Sequence, residues 1–151
     1  MANTQAMCTS FKSEILTGTH NFGVAPIRAA TTADTFKAAL YLASGSQGAA
    51  TTAYAVTNEV TGTNYTAGGV SVTNATVPTT SGTTAYWTPS ASITYTNVTL
   101  TTAFDCVLIY NSTQSNKAVS VHTFGSQTVT AGTFSLTMPT NGAGTALLNI
   151  A

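Results

Sequence analysis

AFDCVLIYNSTQSNKAVSVHTF, residues 103–124, decides the fold. Its first eight residues are apolar except for Asp105, the profile of a central strand. NSTQSN, residues 111–116, is a run of turn formers. In KAVSVHTF, residues 117–124, Val119, Val121 and Thr123 alternate with Ala118, Ser120, His122 and Phe124, the period of two of a strand with unlike faces. The stretch therefore reads as strand, turn, strand.

The same signals recur on either side. Upstream, residues 91–100 form a strand in which Ile93, Tyr95, Asn97 and Thr99 alternate with Thr94, Thr96, Val98 and Leu100. Residues 83–87 and 70–73 are shorter strands. Between them lie Val77, Pro78 and a Thr-Thr-Ser-Gly turn at residues 79–82. TFKAALYLA, residues 35–43, is a strand with Phe36, Ala38, Leu40 and Leu42 on one side and Lys37, Ala39 and Tyr41 on the other. Residues 44–53, with the breakers Gly45 and Gly48, form a loop. Residues 54–69 form an ordered excursion with one helical turn near residues 57–60. Downstream, residues 125–132 lead to TFSLTMP and finally to ALLNIA. FKSEILT, residues 11–17, is the one helix candidate, with Gly18 as its stop. Two turns cannot stand alone, so this helix must pack on a sheet. Strands at this spacing predict an all-β protein, a jelly-roll-like β-sandwich with one short N-terminal helix. The expected organisation is a flexible N-terminal arm over residues 1–10 and a single domain over 11–151, with residues 19–33 as a second candidate arm.

Charge narrows the function. Lys12, Glu14, Arg28, Asp34, Lys37, Glu59, Asp105 and Lys117 are the only charged residues, 5% of 151, and they cancel. An ordinary soluble domain carries about 25%. No basic patch is available for nucleic acid. A neutral, nearly uncharged surface suits a protein that lies against other protein. Threonine makes up about a fifth of the chain, a strand former whose hydroxyl tolerates water. Residues 1–10 lack the basic start and apolar run of a signal peptide, and no stretch approaches the roughly 18 apolar residues of a membrane helix. Synthesis in a cytoplasm is expected, with no membrane partner. The four sequons at Asn64, Asn74, Asn97 and Asn111 are close to the about three expected by chance from this composition and are expected to carry no glycan. Cys106 reads as a small core residue and Cys8 as incidental; whether the two pair is left open.

Chemistry is sparse. Glu59 and Asp105 are the one carboxylate pair to weigh for glycosidase work, and no motif supports them. Asp105, among apolar neighbours, is expected to bond a backbone amide. His122 sits in strand alternation and reads as structural. No nucleophile elbow is present, Cys8, His20, Cys106 and His122 lack zinc spacing, and Gly68-Gly69 lacks the lysine and helix of a phosphate loop. The expectation is a non-enzyme with no catalytic, cofactor-binding or metal-ligating residue. Tyr41 and Tyr110 read as core. Tyr86 and Trp87 are the candidate interface aromatics.

FKAALYLASG (36–45), TTAYAVTNEVTGTNYTAGGVSV (51–72) and VLIYNSTQSNKAVSVHTFGSQTVTAGTFSLTMP (107–139) resemble a family of small tailed-bacteriophage virion proteins. Members carry a strand like FKVALY, a motif like TNEVSGTGYTAGG and an IYN…N-AV strand pair. This chain departs from them at Thr123, where many have Asp, and at Asn64, where many have Gly. The resemblance implies a structural component of the virion. The expected role is a capsid cement or decoration protein that binds the major capsid protein between capsomers and binds itself, with a trimer ranked before a dimer. A tail- or fibre-associated role is the first alternative and a carbohydrate-binding module the second. The motif loop nominates Asn58, Glu59, Val60, Gly62, Tyr65, Gly68 and Gly69 as structural or interface residues. Glu59, the only charge between Lys37 and Asp105, is expected to hold a fixed partner, with Gly62, Gly68 and Gly69 supplying special backbone angles.

Overall fold

Alternating β-branched and aromatic residues make β-strand the dominant regular structure, and the computed structural model describes residues 2–16, 18–22, 33–73 and 77–151. In chain order the elements are β1 (Ala6–Met7), α1 (Thr9–Leu16), β2 (Phe36–Leu42), β3 (Val70–Ser71), β4 (Thr79–Ser81), β5 (Thr84–Trp87), β6 (Ile93–Asn111), β7 (Lys117–Leu136) and β8 (Leu148–Ile150). They form two antiparallel sheets, a five-stranded one in the order β1-β7-β6-β2-β3 and a three-stranded one in the order β4-β5-β8. The architecture is all-β with one short helix.

The spine is the β6–β7 hairpin, of 19 and 20 residues. Its turn places Ser115 and Asn116 at φ 53° and 59°, and asparagine adopts this left-handed region more readily than most residues. The separate strands expected over 91–100 and 103–110 are one strand, and residues 117–136 are another without a break. The pairing absorbs its irregularities as shifts in register. Asn97 and Ala131, at φ 52° and 46°, lie within these shifts. Such bulges bend a strand without ending it.

β2 lies between β6 and β3. Phe36, Ala38 and Leu40 on one side and Ala39 and Tyr41 on the other are all fully buried, so the alternation is present but both faces are covered. The expected turn at residues 79–82 is instead strand β4, and the chain reverses one step later at Gly82, φ 57°. Trp87 and Leu148 of the small sheet join the core of the large one. Phe22 bridges them, stacked on Phe36 at 4.4 Å and edge-on to Trp87 at 4.8 Å between ring centroids. Helix α1 packs Phe11 into the same core and stops where expected. Gly18 is at φ 64°, its N–H donates to Ile15 O (2.9 Å), and Thr19 N–H reaches back to Glu14 O (2.9 Å), which satisfies two terminal carbonyls.

The flexible arm expected over residues 1–10 is corrected: residues 2–10 are docked. β1 pairs with Ser120 and Val121 of β7. Asn3 Nδ2 donates to Asp105 Oδ1 (2.6 Å) and to Leu42 O (3.0 Å). Cys8 is fully buried and its N–H donates to Val119 O (3.0 Å), so it is a core residue and not incidental. A polar segment gave no apolar period to read, yet its amides satisfy strand groups that would otherwise lack partners. Cys8 and Cys106 are both free thiols. Residues 23–32 of the second candidate arm, and Asn74, lie outside the described residues. No helix among the described residues is long and apolar enough to cross a membrane.

Candidate functional site

The motif loop closes the edge of the large sheet. Beyond β3, strand β2 still has main-chain groups to satisfy, and the loop supplies them. Leu42 N–H donates to Asn58 O (2.9 Å) and Val60 N–H to Leu40 O (3.0 Å). Farther on, Thr63 and Thr99 exchange bonds of 3.2 and 3.1 Å, which ties the loop to β6. In place of the helical turn expected near residues 57–60, residues 56–59 form a tight turn. Glu59 N–H donates to Val56 O (3.1 Å), and Asn58 is at φ 62°.

Gly68 and Gly69 take the special angles expected of them, whereas Gly62 has no positive φ, which corrects that expectation, and is demanded by proximity alone. A Cβ on Gly69 (φ 68°) would lie 1.7 Å from Ala38 O, and one on Gly62 would lie 2.0 Å from Thr99 O. Gly68 is at φ 90°. Asn64, at φ 60°, occupies a left-handed position, which asparagine adopts more readily than most residues.

Glu59 is the centre of the loop. Its side chain is 4% exposed and takes three hydrogen bonds: Tyr54 Oη to Oε2 (2.6 Å), and Tyr65 Oη and Gly68 N–H to Oε1 (2.8 and 2.7 Å). Burying a carboxylate is costly unless several donors meet it, and hydrogen bonds to a charge are the strong ones. Each tyrosine is fixed in turn. Tyr65 Oη also accepts from Leu40 N–H (3.0 Å), Tyr54 stacks on Tyr110 at 4.8 Å, and Tyr65 stacks on Tyr95 at 5.8 Å. Tyr110 Oη donates to Gly68 O (2.8 Å) and Tyr95 Oη to Ala38 O (2.8 Å). Burial first, and then the Glu59 carboxylate, push the Tyr54 and Tyr65 hydroxyls well above the ordinary tyrosine range. The same two causes raise Tyr110 to about 12. The hydroxyls therefore stay protonated and keep donating. The sequence singled out Glu59 and Tyr65, and it missed Tyr54, Tyr95 and Tyr110 as parts of one knot.

The other acids are also occupied. Glu14, on α1, receives the Lys117 ammonium and lies 2.7 Å from His20 Nε2. Burial pushes its pKa up, but the hydrogen bonds from Lys117 and His20 outweigh this and hold it below the usual carboxylate range. Asp34 accepts from Asn21 N–H (2.9 Å), Asn111 Nδ2 (2.7 Å) and Gln114 Nε2 (3.2 Å). Asp105 accepts from the Asn3 side chain (2.6 Å) and not from the backbone amide expected for it. Glu59 and Asp105 do not converge. Glu59 takes its bonds from Tyr54, Tyr65 and Gly68, whereas Asp105 takes its from Asn3, so the two share no hydrogen-bond partner.

Both ring nitrogens of His20 are engaged, Nε2 by Glu14 and Nδ1 by Asn111 (3.1 Å). His122 lies against apolar Val107, Ile109 and Leu136, with Ser120 Oγ 2.9 Å from Nε2, and burial lowers its pKa to about 4. Among the described residues no cluster of three or more His, Cys, Asp or Glu side chains is placed to hold a metal. An apolar cavity of about 220 Å³ lies between α1 and the small sheet, lined by Phe11, Ile15, His20, Tyr86 and Trp87 among others. Of the two candidate interface aromatics, Tyr86 is half-buried. Trp87 is 2% exposed and belongs to the core, because its ring is the contact between the sheets.

No protein-family model matches this chain, and neither a curated protein nor a solved structure matches it.

Proposed function

We propose that this protein is a non-enzymatic structural component of a tailed-bacteriophage virion, a cement or decoration protein that binds the outer shell between capsomers and stabilises it. The observation that carries the reading is that all four acids, Glu14, Asp34, Glu59 and Asp105, hold internal hydrogen bonds. These groups serve to fix loops and the N-terminal segment on the sheets. Among the described residues, what remains for a partner is mostly threonine-rich strand surface with few charges, Lys12 being exposed and Lys37 half-buried. Attachment then rests on apolar area, main-chain hydrogen bonds and multivalency, since exposed ion pairs contribute only about 0–1 kcal/mol each. The resemblance through the motif loop and the hairpin strands supplies the virion context. The partners in this reading are the major capsid protein and further copies of the chain, assembled after synthesis in the host cytoplasm, without nucleic acid, membrane or cofactor. The five- and three-stranded sheets support a jelly-roll-like sandwich as the finer reading of the fold.

The test is quantitation of the protein in purified particles, followed by release across a salt series. Hundreds of copies per particle, retained at molar salt, are expected, because screening acts on charges. Release by a few hundred millimolar salt would mean electrostatic attachment and defeat the account. A few to dozens of retained copies would move the protein to the tail or fibre, the second reading. A carbohydrate-binding module draws less support, because Trp87, one of the two aromatics it would present to a sugar, is buried.

A further inference from the structure

The geometry points to residues 132–136 of β7 as a self-association edge, on which a second copy of this chain adds its own β7 antiparallel about a twofold axis. The outer edge of β7 begins covered. Ala118 N–H donates to Thr52 O (3.0 Å), Cys8 N–H to Val119 O (3.0 Å), and β1 pairs at Ser120 and Val121. β1 is only two residues long, and among the described residues no main-chain bond crosses that edge from His122 to Leu136. An uncovered edge presents unpaired N–H and C=O groups to any other strand.

The open edge is not uniform. At residues 124–131 the β6–β7 register is broken by bulges, which normally discourage pairing. Here the bulged groups find local partners. Gly125 O accepts Gln127 Nε2 (3.0 Å) and Ala131 N–H donates to Thr99 Oγ1 (3.0 Å). Regular one-to-one pairing returns at Phe134, Ser135 and Leu136, opposite Tyr95, Thr94 and Ile93. The last register shift, between Tyr95 and Val98, places its extra residue on β6, so on β7 residues 132–136 remain an extended stretch of ordinary strand length, about 17 Å, with no partner on the outer edge among the described residues.

Three features select a second copy as the occupant. Edge strands are usually guarded by charged side chains, and this chain carries no Asp, Glu, Lys or Arg from Ala118 to its last residue. A twofold contact sets a strand against itself, so any charge near the axis would face its own copy, and an uncharged strand avoids that repulsion. Phe134, Leu136 and Met138 are half-buried along one side, while Thr133 and Ser135 are exposed on the other. A copy related by a twofold axis extends that apolar row with the same residues. This favours a dimer and reverses the ranking of trimer over dimer that the sequence suggested. The inference does not rest on the virion reading, since a dimer that never joins a particle would keep it while defeating that reading.

The test uses the full chain in sedimentation equilibrium, with two variants, Thr133→Lys with Ser135→Lys and Thr133→Glu with Ser135→Glu. Thermal melts of both serve as the folding control. Wild type is expected at about twice the chain mass at tens of micromolar. Each variant is expected as a folded monomer, and an equimolar mixture of the two is expected to regain the dimer. A monomeric or trimeric wild type overturns the proposal. So does a folded lysine variant that remains as associated as wild type, or a mixture of the two that stays monomeric.

Discussion

The five-stranded sheet has two edges, and the chain treats them differently. On the β2 side, β3 and then residues 58–60 occupy the edge, and the Glu59–tyrosine knot holds them there. On the β7 side, two residues of β1 and a loop cover the first positions, and beyond them no main-chain bond from another described residue reaches the strand's outer edge. The closed edge concentrates the special chemistry of the chain: a buried acid, left-handed asparagines and glycines under a carbonyl. The open edge has no charge and little but threonine and serine outward. A closed edge needs an enforced conformation, because a loop without strand period has no intrinsic reason to lie in register. An open edge needs only a strand.

The difference is open to measurement, and the largest effect is expected at the knot. Glu59→Ala leaves two tyrosyl hydroxyls and the Gly68 N–H facing a void, and should cost about 3–5 kcal/mol in urea denaturation. Glu59→Gln, which keeps the shape and one acceptor, should cost about 1–2 kcal/mol. A Glu59→Ala protein as stable as wild type would mean that the loop does not need its acid.

Next come paired glycines. Gly69→Ala forces a Cβ into Ala38 O at a positive φ, and the added strain and overpacking should cost about 2–5 kcal/mol. Gly125→Ala, on the open edge with nothing within 4 Å of the new Cβ, should lie within about 0.5 kcal/mol of wild type. Equal costs would remove the distinction between the edges.

At the boundary of the open edge the effect is one of pH, and at neutral pH a change in acidity leaves it untouched. Burial lowers the His122 pKa from the ordinary 6.5 to about 4 in the folded chain. Between those values the unfolded chain binds the proton and the folded chain does not. His122 thus contributes stability that is complete above 6.5 and is lost as pH falls toward 4, with a slope of up to about 1.4 kcal/mol per pH unit. His122→Gln should flatten that part of the stability–pH curve. A curve of unchanged slope would show that His122 is not buried neutral.

Several of these features were legible without coordinates. Alternation located β2, β6 and β7, because period two reports a strand wherever one face is treated differently from the other. Gly18, Gly68 and Gly69 were readable as backbone positions, since few residues reach positive φ cheaply, whereas Gly62 is required by the nearness of Thr99 O, which only the fold reveals. Tyr54, Tyr95 and Tyr110 were not readable as one site. Residue 54 and residue 110 meet only through the pairing of strands far apart in sequence, and an aromatic in a strand reads as core whatever its hydroxyl touches.

The sequence by itself determined the all-β class, the position of the helix and its stop, the scarcity of charge and the importance of Glu59. Those are local or compositional properties, fixed by dihedral preference and side-chain chemistry. Only the tertiary structure decided that two predicted strands are one, that residues 2–10 are docked, that Trp87 is core and Glu59 meets two tyrosines, and which edge the motif loop closes. Those outcomes depend on register between distant segments, and in a sheet register is set by the sum of many cross-strand contacts that no single stretch contains.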